Sequence, residues 1–270
     1  MASRLTLPKI GCLLLFLISL SFASNTLSSE PEKLHIAVAS NFKHVHQVLA
    51  NEFEAQYALN SERSAPKIVS SSGSSGTLFA QIKHGAPYDI FLSADQMRPD
   101  TLIELGLALK QSRTIYAQGQ IVLWQPKAAK PFDINIFKTY ADKYALANPK
   151  LAPYGAASQA IMKKSGFWQT KDHSRIVAQN IATAFQYVAS GSIKMGWVAF
   201  SQLKQWEQRS AIPKHSYWLP PINSYPVIHQ VAVQLTRAEN KTLAAEYLAF
   251  LSAPKAQTLI RSFGYLSPSI

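Results

Sequence analysis

Beyond position 12 this sequence contains no cysteine. Disulfide staples, thiolate metal sites and cysteine nucleophiles are therefore excluded from everything downstream of that residue. Long apolar runs are almost as scarce. The stretch from Ile10 to Leu20 is nearly all apolar, but it is about half of the roughly 20 residues that a membrane-spanning helix needs. No other segment approaches that length. Charge is thin as well, at 16% of residues, and nowhere do five basic residues follow one another. The dense cationic run of a nucleic-acid-binding arm is missing. No short repeat of fixed period is present.

What is present fits an exported globular protein. The chain has 270 residues, 47% of them hydrophobic, enough to bury a substantial core in one large or two smaller domains. Arg4 and Lys9 precede the apolar stretch, and Ser21-Phe22-Ala23 follows it with small residues where a signal peptidase reads. Residues 1–23 are thus expected to be a signal peptide, directing the protein to the periplasm. Cys12 leaves with it. That cysteine lies inside the apolar run behind Lys9-Ile10-Gly11, which does not suit a lipoprotein signal. Residues 24–33 are expected to form a disordered leader. The 27 basic and 15 acidic residues give a net charge of +12. Removing Arg4 and Lys9 leaves 25 against 15, or +10. Export and the scatter of these charges argue against nucleic acid. They imply a solvated basic surface with some steering of anions.

Strands and helices alternate along the chain. Leu34–Ser40 reads as a buried strand, and Phe42, Val45, Leu49 and Phe53 recur at helical spacing. A strand at Lys67–Ser70 runs into a serine-rich loop, Ser71–Gly76, and then a helix ended by Gly85. Further strands are expected at Tyr88–Ser93, Gln120–Trp124, Tyr144–Asn148, Met195–Phe200 and Val227–Leu235. Helices are expected at Pro99–Leu105, up to Gly166, at Asn180–Ala189 and, as a pair, at the C-terminus. The class is α/β with a largely parallel sheet.

Four places share a local design in which a strand or turn ends on a small or polar residue and a helix begins. They are Ser40-Asn41, Ser74-Ser75-Gly76, Pro153-Tyr154-Gly155 and Asn180-Ile181. Helix starts leave backbone N–H groups without intrahelical partners, and with the helix dipole they favour an anion. Each alone is readily an ordinary cap. Four serines and two glycines at Ser71–Gly76 exceed what a cap needs. Other patterns are weaker. Ser201-Gln202-Leu203-Lys204 matches S-x-x-K without the companion motifs of penicillin-recognising enzymes. His44 and His46 fall on different helix faces. No histidine or lysine is placed as a base beside a serine, so an enzyme is not expected.

The order of these pieces resembles the molybdate-binding proteins of ABC importers. The likeness rests on AVASNF (Ala37–Phe42), GSSGTLFAQIKHGAPYDIFLSADQ (Gly73–Gln96), NPKLAPYG (Asn148–Gly155), GWVAFSQ (Gly196–Gln202) and FLSAPKAQTLIRSFGY (Phe250–Tyr265). The resemblance implies the type II periplasmic binding fold, two α/β lobes joined by crossover strands around a ligand cleft. Residues 34–115 with 226–270 would form the first lobe and 116–225 the second. It implies a monomer that carries a tetrahedral oxyanion, molybdate or tungstate, to a permease in the inner membrane, without cofactor or bound cation. Sulfate, phosphate or a small organic solute are the alternative ligands. Carried over by position, the contacts are the side chains of Asn41 and Ser75 and the backbone N–H groups of Tyr154 and Ile181, with Ser40 and Ser74 beside them. Many members place a ligand-binding tyrosine where this chain has Ala199. Asn41, Tyr154 and Ser201 are the groups available in its place.

Overall fold

The computed structural model of the protein describes residues 31–60 and 64–268, together with Ala2. The expected signal peptide, apart from Ala2, lies outside the described residues. So does the leader as far as residue 30. Lys33, expected in that leader, instead opens the first strand. Among the described residues no helix is long and apolar enough to cross a membrane.

Two five-stranded sheets carry the fold. The first has the order β2-β1-β3-β10-β4, built from β1 (Lys33–Ala39), β2 (Lys67–Gly73), β3 (Ile90–Ser93), β4 (Thr114–Gly119) and β10 (Ile228–Gln234). The second has the order β7-β6-β8-β5-β9, from β5 (Ile121–Trp124), β6 (Tyr144–Ala147), β7 (Arg175–Ala178), β8 (Met195–Ala199) and β9 (Tyr217–Trp218). The chain crosses from the first sheet to the second at Gln120 and returns between Trp218 and Ile228. β4 belongs to the first sheet through Gly119, a few residues past the boundary expected at 115.

Both sheets are mixed, not largely parallel. β1 runs parallel to β2 and β3, and β6 runs parallel to β7 and β8. β10 is antiparallel to β3 and β4, and β5 is antiparallel to β8 and β9. The reversals fall where the chain changes sheet. A strand arriving from the other sheet enters without the right-handed helical crossover that keeps neighbours parallel.

Helices cover both faces of the first sheet. Leu34, Ile36 and Val38 point to one face, where they pack with Phe42, Val45 and Leu49 of α1 (Lys43–Asn60) and its approach. Tyr247 of α8 (Lys241–Ser252) and Ile260 of α9 (Pro254–Ser262) complete that cluster. Ala37 points to the other face, against Leu78 and Ile82 of α2 (Ser75–Lys83) and Leu102 of α3 (Met97–Glu104). This period-two division of a continuous apolar run is the mark of a strand buried on both sides. Each such Leu, Ile or Phe contributes about 1.5–3 kcal/mol on burial. Around the second sheet, Trp197, Phe137, Tyr144 and Met195 form a third cluster. α4 (Pro153–Lys164), α5 (Phe167–Thr170), α6 (Ile181–Ala189) and α7 (Phe200–Glu207) border this sheet. On α6 the buried residues Ile181, Ala184 and Val188 lie three and four apart, as the sequence periodicity requires.

The serine-rich loop is shorter than expected. Ser71 and Ser72 are in β2, paired with Ala37 and Val38 of β1. β2 is an edge strand, so their hydroxyls are exposed while their backbone groups join the ladder. β7 was not foreseen. Four residues are too few to show a period, and only pairing with β6 makes them a strand.

Candidate binding site

Ser74 ends the chain's run out of β2 and caps α2, its Oγ accepting from Thr77 N–H at 3.2 Å. Asn180 does the same for α6, its Oδ1 accepting from Thr183 N–H at 3.0 Å. α4 starts without a side-chain cap. Pro153 stands at its first position, where a missing N–H costs nothing. Gly155 is required there: a Cβ would lie 2.3 Å from the Ala147 carbonyl oxygen. The turn before it is fixed by Ala152 N–H donating to the Asn148 carbonyl at 2.8 Å.

Tertiary structure brings these starts together. Ser40, Asn41, Ser74, Ser75, Tyr154 and Ile181 all line one small cavity, closed by Ala39, Gly73, Ala94, Ala152 and Pro153 between them. None of these residues carries a formal charge. The cavity is about 10 Å³, against roughly 300–1,000 Å³ for pockets that take drug-sized ligands. Ala39 and Gly73 of the first sheet meet the starts of α4 and α6, which border the second, so a ligand here touches both halves of the molecule. The first turns of α2, α4 and α6 each present N–H groups without intrahelical partners. Ser75 Oγ accepts from Ala94 N–H at 2.9 Å, leaving the hydroxyl hydrogen for a ligand.

Asn41 is more occupied than the sequence suggests. Its Nδ2 donates to Gln230 Oε1 at 2.8 Å, to Tyr265 Oη at 3.0 Å and, at 3.4 Å, towards Tyr154 Oη. Its carbonyl oxygen accepts from Tyr265 Oη at 3.0 Å and from Ser201 Oγ at 3.4 Å. Asn41 is thus the centre of a buried polar network that ties α1's approach, β10, α4, α7 and the C-terminal segment together. Burial pushes the Tyr154 hydroxyl well above its ordinary range, aided by neighbouring tyrosines, and pushes Tyr265 up to about 12. Both therefore stay protonated, able to donate. Gln230 and Tyr265 were not singled out by sequence reasoning. Tyr265 ends the FLSAPKAQTLIRSFGY segment, but nothing local gives it a role. Ala94 lies near the end of the GSSGTLFAQIKHGAPYDIFLSADQ segment and was likewise not singled out.

Ala199 is fully buried at the end of β8, paired with Ile121, and does not line the cavity. Its N–H donates to Gln202 Oε1 at 3.2 Å. Ser201 bonds the Asn41 carbonyl, and Lys204 pairs with Glu207, so the S-x-x-K residues serve separate contacts. His46 faces Tyr247 at 2.9 Å and His44 stands edge-on to Phe263, so the two do not converge.

Contacts also cross the cleft beside the cavity. Gly76 N–H donates to the Leu151 carbonyl at 2.8 Å, and Arg98, ion-paired with Asp95, donates to the Lys150 carbonyl at 3.1 Å. These two contacts clasp the halves of the molecule together beside the cavity.

A small neutral cavity between two α/β units is the arrangement of solute-binding proteins, and the family comparison agrees. Residues 34–266 match the family model described as bacterial extracellular solute-binding protein. The chain belongs to this family. It is a binding protein and not an enzyme. Among its relatives, the molybdate-binding protein ModA of Rhodobacter capsulatus is 35% identical over 232 residues, covering 86% of this chain and 87% of the relative. ModA of Azotobacter vinelandii is 33% identical over 240 residues, covering 88% and 91%. The solved structure of the Azotobacter vinelandii periplasmic molybdate-binding protein matches with a TM-score of 0.78, over 87% of this chain and 100% of that one. The binding protein therefore has the periplasmic solute-binding fold, and its two sheets correspond to the frameworks of the two α/β lobes of that fold.

Proposed function

We propose that this protein captures molybdate, or the similarly shaped tungstate, in the cavity between its sheets and delivers it to the membrane permease of an ABC importer. The observation that carries the reading is the convergence of several helix starts on one small uncharged cavity. A tetrahedral dianion needs donors from several directions, and oriented N–H groups supply them without the cost of burying a counter-charge. The relatives at 33% and 35% identity are named for molybdate, which supports that ion over others of its shape. Ser75, through its hydroxyl, and the backbone N–H groups at Tyr154 and Ile181 are the proposed contacts, with Ser40 and Ser74 adjoining. Asn41 acts there chiefly as the anchor that holds Tyr154 and Tyr265 in place. The lobes are proposed near 34–115 with 226–270 and 116–225, hinged at Gln120 and in the segment before β10. A periplasmic, monomeric protein released from the signal peptide at residues 1–23 completes the reading.

Calorimetric titration of the purified protein with molybdate, tungstate, sulfate and phosphate tests it. Molybdate and tungstate are expected to bind more tightly than the other two. Binding of sulfate or phosphate in preference would overturn the choice of ion, and no binding of any of the four would overturn the function.

A further inference from the structure

Among the described residues no positive one lines the cavity, so the attraction that first brings a dianion to it must come from elsewhere. A second and far larger hollow, about 610 Å³, opens between the two halves of the molecule and shares Ser40 and Asn41 with the cavity. One wall is the start of α1, with Lys43, His44 and Gln47. The other comes from α6, α7 and the turn that follows α7, with Phe185, Trp206 and Arg209. Among the described residues no acidic one lines it. Lys43 and Arg209 are exposed, and among the described residues neither makes an ion pair. They stand on opposite sides of the hollow. Arg209 is close enough to His44, on the facing wall, to add to the effect of burial in disfavouring its protonation. Two cations therefore face each other across an uncharged approach that leads to the neutral site.

We propose that this groove is the entrance by which the oxyanion is collected, and that Lys43 and Arg209 form a weak outer anion site that raises the rate of capture. The inference rests on the oxyanion reading above. A groove lined by one sign of charge between low-dielectric walls concentrates counter-ions and speeds encounter. Placing the cations at the mouth and leaving the cavity neutral separates speed from retention. Anions gather at the entrance, and release from the inner donors does not depend on breaking an ion pair.

Stopped-flow tryptophan fluorescence of molybdate binding tests the proposal on the full protein. The variants are Lys43→Gln with Arg209→Gln. A control pair, Lys67→Gln with Lys143→Gln, removes the same charge at the strand starts of the two sheets, the ends away from the cavity. The groove pair is expected to lower the association rate roughly 10-fold at low salt. It should leave dissociation nearly unchanged, and the difference should vanish at high salt as the charges are screened. The control pair should associate like the parent. Equal association of the groove pair and the parent would overturn the proposal. So would an equal loss in the control pair, which would make net charge the cause, or a loss confined to dissociation. A parent that binds no oxyanion in the titration above would overturn the functional reading itself, a result separable from all of these.

Discussion

Ser75 is the side chain at which the proposed chemistry is most directly exposed to test. Its oxygen accepts from Ala94 N–H, and its hydroxyl hydrogen is free for an oxyanion. A hydrogen bond to a charged acceptor contributes about 1.5–3 kcal/mol. Ser75→Ala should therefore weaken molybdate binding about 10- to 150-fold by calorimetry, with the fold retained by circular dichroism. Unchanged affinity would remove Ser75 from the site. Asn41 behaves differently. Asn41→Ala strips partners from Gln230 and Tyr265 in the buried network, and leaving such groups unpaired costs about 1–3 kcal/mol each. Its urea midpoint should fall even without ligand, and an unaltered midpoint would show that the network contributes little.

His46 sets a pH limit on stability. Burial lowers its pKa from 6.5 to about 4, so the folded protein holds it neutral where the unfolded chain would protonate it. Above about pH 6.5 both states are neutral and nothing is lost. As pH falls from 6.5 towards 4 the unfolded state gains a proton first, and stability falls by up to about 1.4 kcal/mol per pH unit. Below about 4 the loss levels off. The stability difference between the parent and His46→Gln, from urea unfolding between pH 4 and 8, should shift against the parent over that window. A difference that is constant with pH would contradict it.

At the scale of elements, the start of α2 has two tasks. It offers donors to the cavity, and it clasps the facing half through Gly76 N–H to the Leu151 carbonyl. A Cβ on Gly76 would meet that carbonyl oxygen at 2.9 Å and the Leu151 Cα at 3.0 Å. Both are backbone atoms, which cannot swing aside. Gly76→Ala should hold the halves apart, weakening molybdate binding and speeding dissociation in stopped flow, while thermal stability without ligand changes little. Dissociation as slow as the parent's would show that the clasp is not needed for retention. Ala199 illustrates the opposite case, since its place at the end of β8 is full and a larger side chain there overpacks the core at a cost of about 1–3 kcal/mol.

At the scale of the whole molecule, a ligand touching residues from both halves makes more contacts when the halves are together. Binding should shift the population towards the closed form. Small-angle scattering should give a smaller radius of gyration with molybdate than without. Identical profiles, with binding shown by calorimetry, would mean that the protein is already closed when empty.

What the sequence determined by itself is the set of parts. The apolar run of β1, the helical spacing on α1 and α6, and the caps at Ser74 and Asn180 depend on neighbours a few residues away, and each was legible. So was the set of polar helix starts, because the first N–H groups of a helix lack intrahelical backbone partners in any fold. The extent of β2 and the existence of β7 were not legible, since pairing with another strand decides both. Tertiary structure alone decided that the starts meet in one uncharged cavity, that Asn41 spends its amide on Gln230 and Tyr265, and that Ala199 lies outside the wall. It also set Lys43 and Arg209 across one groove. These relations join residues more than a hundred positions apart, as Asn41 with Tyr154, Gln230 and Tyr265 shows. They exist only because the two halves face each other, and no local propensity encodes that facing.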